Sequence, residues 1–202
     1  VVAGVCGALS GYFVAYCGVQ PMVVTLGGSF LFTGVALLVS NLSATESYKG
    51  ISGFPDSFLQ LSKFKLFGVI PCQVIIFLVL AVIAYVLLNK TKYGRMVFLI
   101  GVNKDAAEFS GINTRLITMT TYILSGISAA IAGIILTSYI GTAKSDIGVT
   151  FTLPIITAVV LGGTLSTGGK GSVVGTALAA VVIGVLKFGL PLCFKVPQQY
   201  LD

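Results

Sequence analysis

Gly168-Gly169-Lys170 has the outline of a phosphate-binding loop. Such a loop needs a Gly, four intervening residues, a Gly-Lys pair and then Ser or Thr, so that backbone N–H groups cradle the phosphates and the Lys reaches them. Here Thr164 stands at the first Gly position and Gly171 at the last. The match fails at both places, nucleotide binding by this chain is not expected, and Lys170 reads more simply as a topology-setting charge. The sequence contains no His, which excludes imidazole acid–base chemistry and His-ligated metals. Cys6, Cys17, Cys72 and Cys193 follow no metal-ligand spacing and read as small apolar packing residues. No paired carboxylates and no Ser–His pair are present for a hydrolase. The expectation is a chain that is not an enzyme, with no catalytic residue and no metal site.

The elements that carry these residues are apolar. No Asp, Glu, Lys or Arg occurs from Val1 to Thr45, Leu66 to Asn89, Leu116 to Ala143, Ile147 to Gly169, or Gly171 to Leu186. A charge at the centre of a bilayer costs several kcal/mol, so long runs without one read as membrane spans. Hydrophobic residues make up 56% of the chain and charged residues 9%, whereas a soluble domain carries about 25% charged residues. The net charge of +6 sits at the ends of apolar runs, so a nucleic-acid partner is not expected. The 25 glycines suit close helix packing in lipid.

A span needs about 20 apolar residues. Val1–Cys17, Met22–Val39, Val69–Leu88, Ile117–Tyr139 and Ser172–Leu190 are the candidates, with Lys187 able to snorkel near the end of the last. Pro154–Gly163 is apolar but only about half a span in length. It runs into the glycine-rich stretch Gly162–Gly171, which predicts a re-entrant or broken helix; irregular backbone at membrane depth must be buried in protein or line a wet cavity. The fold class expected is therefore all-α, a polytopic transmembrane helical bundle with a re-entrant or broken helix, and residues 1–202 as a single transmembrane permease domain. Pro21–Gly28 and Pro154–Gly163 share a Pro…Thr…Leu-Gly-Gly pattern of the kind that internal repeats of transporters produce.

Asn89–Arg115 carries Lys90, Lys92, Arg95, Lys104 and Arg115 against Asp105 and Glu108. The positive-inside bias places this loop in the cytoplasm and leaves Asn41–Lys65 and Gly141–Phe151 outside. Within it, Asn103 can cap a short helix whose first turn holds Asp105, and Gly111 can stop it. A docking site for a cytoplasmic partner explains such a helix better than stability does. No span holds a carboxylate, which weakens proton- and ion-coupled carriers. A passive channel, a structural subunit, or a pore driven by a partner remain. Thr25, Thr157 and Thr164 offer hydroxyls, and Gly162 and Gly163 let backbone approach a ligand closely, so these five are the candidate path residues for a neutral polyol. Lys144 and Asp146, isolated in the connection Gly141–Phe151, are candidates for docking an external protein.

At the basic loop the sequence resembles a known family. Gly94-Arg95, then Gly101-Val102-Asn103-Lys104-Asp105-Ala106-Ala107, then Ser110-Gly111-Ile112, resembles the coupling loop of ribose-type (simple-sugar) ABC importer permeases. Val159–Thr164 through Gly168–Ser172 is similar to their Gly-Gly-Thr…Gly-Gly-x-Gly-Ser signature, and Pro21–Gly27 to their Pro-Phe-Ile-x-Thr-Leu-Gly. Tyr48–Pro55, Ser138–Gly148 and Pro154–Gly163 extend the likeness to the autoinducer-2 import branch of that family. The resemblance implies an inner-membrane, multi-pass permease subunit importing autoinducer-2, a small furanose-like polyol signal, or else ribose or another simple sugar; a passive polyol channel is the reading from outside the family. It implies a second permease subunit in a heterodimer, a cytoplasmic ABC ATPase and an extracytoplasmic binding protein. No cofactor would be bound by this chain, ATP and Mg belonging to the ATPase. The coupling residues implied are Gly94, Arg95, Gly101, Asn103, Ala106, Ala107, Ser110, Gly111 and Ile112. Family permeases have further spans before the position of Val1 and one after Gln199, so the chain is expected to be the middle part of a larger permease.

Overall fold

The computed structural model describes residues 1–42, 53–55, 58, 65–66, 70–144 and 147–194. Among these residues the regular structure is α-helical apart from one two-residue antiparallel pair. That pair joins β1 (Lys65–Leu66) to β2 (Ile70–Pro71), with Lys65 opposite Pro71 and Leu66 opposite Ile70. Three helices are long and apolar enough to cross a membrane: α2 (Pro21–Leu42), α3 (Cys72–Asn89) and α6 (Thr114–Ile140). The chain is thus an all-α, multi-pass membrane protein.

The ends of the helices follow from local chemistry. α1 (Val2–Ala15) is shorter than the span expected over Val1–Cys17. Gly18 takes a left-handed φ of 67° there, and the Val19 N–H returns to the Phe13 carbonyl at 3.3 Å. Pro21 then opens α2, where its missing N–H costs nothing. α3 begins at Cys72 rather than Val69 because Pro71 holds the preceding residue extended. The stretch Asn89–Arg115 is less of a loop than expected. It contains α4 (Lys92–Val102) as well as the anticipated short helix, α5 (Lys104–Phe109). α6 is capped by Asn113, whose Oδ1 accepts from the Leu116 N–H at 3.2 Å, and stops at Gly141, φ 75°.

The chain divides into two compact units, Val1–Leu78 with Gly111–Ile147 and Val79–Ser110 with Gly148–Asp202. In the first, α1 lies antiparallel against α6 along a seam of small residues. Ala3, Gly7, Gly11 and Ala15 recur every four residues and so share one face of α1. A Cβ on Gly11 would stand 3.0 Å from Tyr122 Cβ and 3.2 Å from Met119 Cα, and one on Gly126 of α6 would collide with the Ala3 carbonyl oxygen. Such small-residue seams are how helices approach in lipid, where no water remains to drive them together. Near the other end of α6, buried Ser138 donates its hydroxyl proton to the Phe58 carbonyl at 2.7 Å.

In the second unit a single 3₁₀ turn (Val149–Phe151) leads into α7 (Thr152–Leu161), which is followed by α8 (Val173–Phe194). The ten residues of α7 rise about 15 Å, half the hydrocarbon thickness, so α7 is the broken helix expected around Pro154–Gly163. Lys187 on α8 lies with its Nζ 5.9 Å from the centroid of the Phe151 ring, within cation–π range. The Leu-Gly-Gly pattern shared with Pro21–Gly28 does not produce a structural repeat: Gly27 and Gly28 stay inside α2, whereas Gly162 and Gly163 end α7.

Candidate functional site

The second unit holds most of the residues singled out above, and two of its segments meet. The first is α4–α5. Thr91 caps α4, its Oγ1 accepting from the Gly94 N–H at 3.3 Å and donating to the Leu87 carbonyl at 2.5 Å. Gly94 is buried, and a Cβ there would overlap the Leu88 backbone, so the two helices can join within two residues, Lys90 and Thr91, only if position 94 is Gly. Arg95 faces solvent. Asn103 serves both helices: its N–H closes α4 on the Leu99 carbonyl at 3.1 Å, and its Oδ1 opens α5 by accepting from the Ala106 N–H at 3.0 Å. Asp105 lies in the first turn of α5, where a negative charge is favourable. Ser110 closes α5, its N–H and hydroxyl both donating to the Ala106 carbonyl, and Gly111 follows with φ 80°. The cap at Asn103 and the stop at Gly111 fall where the sequence placed them.

The faces of α5 are distinct. Ala106 is exposed, Ile112 beyond the helix is half-buried, and Ala107 is only 4% exposed. Phe109, by contrast, is 93% exposed, and Val102 at the end of α4 is 72% exposed. Ala107 therefore supports the helix from within, while the apolar groups presented outward are Phe109 and Val102, neither of which the sequence reading selected. Their signal was present: two large apolar residues beside Lys104, Asp105 and Glu108 in a segment otherwise polar.

The second segment is the glycine loop after α7. The helix ends in a Schellman motif: the Gly163 N–H returns to the Val160 carbonyl at 3.0 Å and the Thr164 N–H to the Val159 carbonyl at 3.2 Å. Gly163 supplies the required positive φ of 88° and has open space around it. Gly162 has the opposite role: a Cβ there would be 2.5 Å from the Thr176 nitrogen, and one on Gly175 would meet the Gly162 carbonyl, so α7 and α8 touch backbone to backbone. Thr164 and Thr176 hydroxyls lie 3.4 Å apart across that junction. Thr157 donates to the Leu153 carbonyl at 3.0 Å, leaving its oxygen lone pairs free to accept. From Leu165 the loop closes on itself through the Leu165 N–H to Lys170 carbonyl bond at 3.0 Å.

The two segments meet at glycines. A Cβ on Gly168 would be 2.9 Å from the Gly101 carbonyl oxygen, one on Gly169 would be 2.7 Å from Val102 Cγ2, and one on Gly101 would strike the Gly169 nitrogen. Residues separately marked in the sequence, Gly101 in the coupling set and the glycine pair in the loop, thus form one joint.

Thr25 belongs to the other unit. It lines a cavity of about 1100 Å³ between α1, α2 and α6, together with hydroxyl-bearing Ser10, Ser29, Tyr122 and Ser125 and, at its edge, Lys144. Thr25 donates to the Pro21 and Met22 carbonyls at 3.0 and 3.1 Å, so it also faces a ligand as an acceptor. Asp146 lies outside the described residues.

Comparison with known proteins agrees with this arrangement. A family profile described as branched-chain amino acid transport system / permease component matches residues 1–200. The chain is similar to the autoinducer 2 import system permease protein LsrD of Photorhabdus luminescens, 42% identical over 199 residues, which is 98% of this chain and 59% of that protein. The LsrD proteins of Salmonella typhimurium, with the same figures, and of Yersinia enterocolitica, 42% identical over 192 residues covering 95% and 58%, are alike. The chain thus spans about three-fifths of the length of these relatives. No solved structure gives a significant match. A profile match over nearly the whole chain, on a helical membrane protein with a broken helix and a capped connecting helix, establishes that this chain belongs to the branched-chain amino acid transport system / permease component family.

Proposed function

We propose that the chain is part of a membrane permease subunit that moves autoinducer-2, a small neutral polyol, inward through an ATP-driven importer. The observation that carries this reading is the 42% identity over 98% of the chain to proteins named autoinducer 2 import system permease. In this reading α5 docks a cytoplasmic ATPase, which holds the ATP and Mg, and the exposed Phe109 and Val102 supply the apolar part of the contact. Docking the ATPase on a helix with a side-chain cap at its start and a glycine at its end keeps that contact rigid. A second permease subunit completes the pore, and an extracytoplasmic binding protein delivers the ligand near Lys144 and Asp146. Thr25, Thr157 and Thr164, with the Gly162–Gly163 backbone, offer acceptors to ligand hydroxyls without placing a charge in the membrane.

Membrane vesicles test the proposal. With the partner permease, ATPase and binding protein present, uptake of autoinducer-2 is expected only with ATP, and ribose is expected to compete poorly. Efficient ribose uptake would reassign the ligand to a simple sugar. Uptake by this chain without ATP or partners would make it a passive polyol channel.

A further inference from the structure

We propose that the joint of Gly101 with Gly168 and Gly169 is the positioning element that carries movement of α5 to the end of α7, and that its closeness, rather than any side chain, sets the coupling of ATP use to transport. This rests on the importer reading above. Three observations support it.

The link from α5 to Gly101 has almost no slack. Asn103 alone separates α4 from α5 and is hydrogen-bonded into both, so a displacement of α5 reaches Val102 and Gly101 within two residues. The contact from Gly101 onward is between backbones. The Gly101 carbonyl oxygen and the Gly169 nitrogen lie where side chains would begin, and backbone atoms cannot turn aside as a flexible side chain does. The receiving loop is itself stiff. Gly168 and Gly169 are held at φ 89° and 79°, Gly168 donates to the Leu165 carbonyl at 3.0 Å, and Leu165 donates to Lys170. Leu165 adjoins Thr164, which is bonded back into α7 and lies against Thr176 of α8. A shift of α5 therefore arrives at the α7–α8 junction instead of being absorbed.

The test uses the assembled transporter in proteoliposomes. Gly101 lies within α4, where Ala is favoured over Gly, so any defect of Gly101→Ala comes from the joint and not from the helix. Gly133→Ala, at a helical glycine with open space around it, is the control. Uptake per ATP hydrolysed is expected to fall about tenfold in Gly101→Ala, within the range of ordinary allosteric coupling, and to stay unchanged in Gly133→Ala. A merely structural role would lower the amount of assembled complex without changing that ratio. Val102→Ala, which removes atoms over Gly169 and adds none, is expected to lower the ratio in the same direction.

A Cys at position 164 gives a second readout. Its labelling by a water-soluble thiol reagent is expected to respond to a non-hydrolysable ATP analogue in the parent and not in Gly101→Ala. Unchanged uptake per ATP in Gly101→Ala, or labelling at 164 that responds to nucleotide equally in both, would overturn the inference while leaving the importer reading intact. Absence of ATP-dependent uptake in the parent would instead overturn the importer reading.

Discussion

Replacing Gly7 by Ala adds one methyl group at the tightest point of the α1–α6 seam. The new Cβ would stand 2.5 Å from the Tyr122 carbonyl oxygen, 3.2 Å from its carbon and 3.3 Å from Ile123 Cα. All three are backbone atoms, so the contact is relieved only if the helices separate. Ordinary contact begins near 3.4 Å, which sets the separation at about 1 Å. Overpacking of this kind costs roughly 1–3 kcal/mol, and the better helix propensity of Ala returns up to about 1 kcal/mol of it. The net expectation is about 1–2 kcal/mol, a change of roughly 5- to 30-fold in the folded-to-unfolded ratio. Gly133→Ala, on the same α6 but in open space, should be neutral or slightly stabilising. Unfolding in mixed micelles by increasing dodecyl sulfate, followed by far-ultraviolet circular dichroism, measures both. Combining Gly7→Ala with Gly126→Ala should cost less than the two single changes together, because one widening of the seam relieves both collisions. Equal midpoints for Gly7→Ala and Gly133→Ala would refute the seam as described.

Phe109→Ser should change stability by no more than about 0.5 kcal/mol, as exposed positions do, yet lower capture of the cognate ATPase in a pull-down from detergent; undiminished capture would remove Phe109 from the docking face. Asn103→Ala should cost about 1 kcal/mol through loss of the α5 cap and reduce ATP-dependent uptake, and Asn103→Asp should restore it; failure of Asp to restore uptake would mean the amide has another task. Ser138→Ala should lower stability by about 1 kcal/mol, because the Phe58 carbonyl loses its buried donor; a thermal midpoint equal to that of the parent would contradict this.

Much of the fold was legible because lipid imposes a simple rule on charge. The charge-free runs located α2, α3 and α6 closely, and the half-length of Pro154–Gly163 announced the break at α7. Asn103 and Gly111 were legible as cap and stop because each acts on its immediate neighbours. What escaped was chemistry that depends on distant partners. α4 was hidden inside a stretch defined by its charges, although Thr91 stands three residues before Gly94 in capping position. The small-residue face of α1 was missed because only the matching residues of α6 drew notice. The role of Gly101 could not be read locally, since the atoms that demand a glycine there belong to Gly168 and Gly169. Thr25 and Lys144 were each marked by type, but their common cavity depends on how α1, α2 and α6 pack. The Leu-Gly-Gly pattern misled for a related reason: Ser29-Phe30-Leu31-Phe32 continues the helix after Gly28, whereas Ser166 to Lys170 follows Gly163 with residues that favour a loop.

The seam of α1 also determines how deep that helix sits. A face with a small residue at every fourth position is a rail on which a partner could slide by one turn, about 6 Å, and find a similar surface again. The order Ala3, Gly7, Gly11, Ala15 removes that freedom. Sliding in one direction carries the methyl of Ala3 into the space of Gly7, against the Tyr122 carbonyl; sliding in the other carries that of Ala15 into the space of Gly11, against Met119 and Tyr122. Two glycines between two alanines therefore fix the register of α1, with Tyr122 as the stop on both sides.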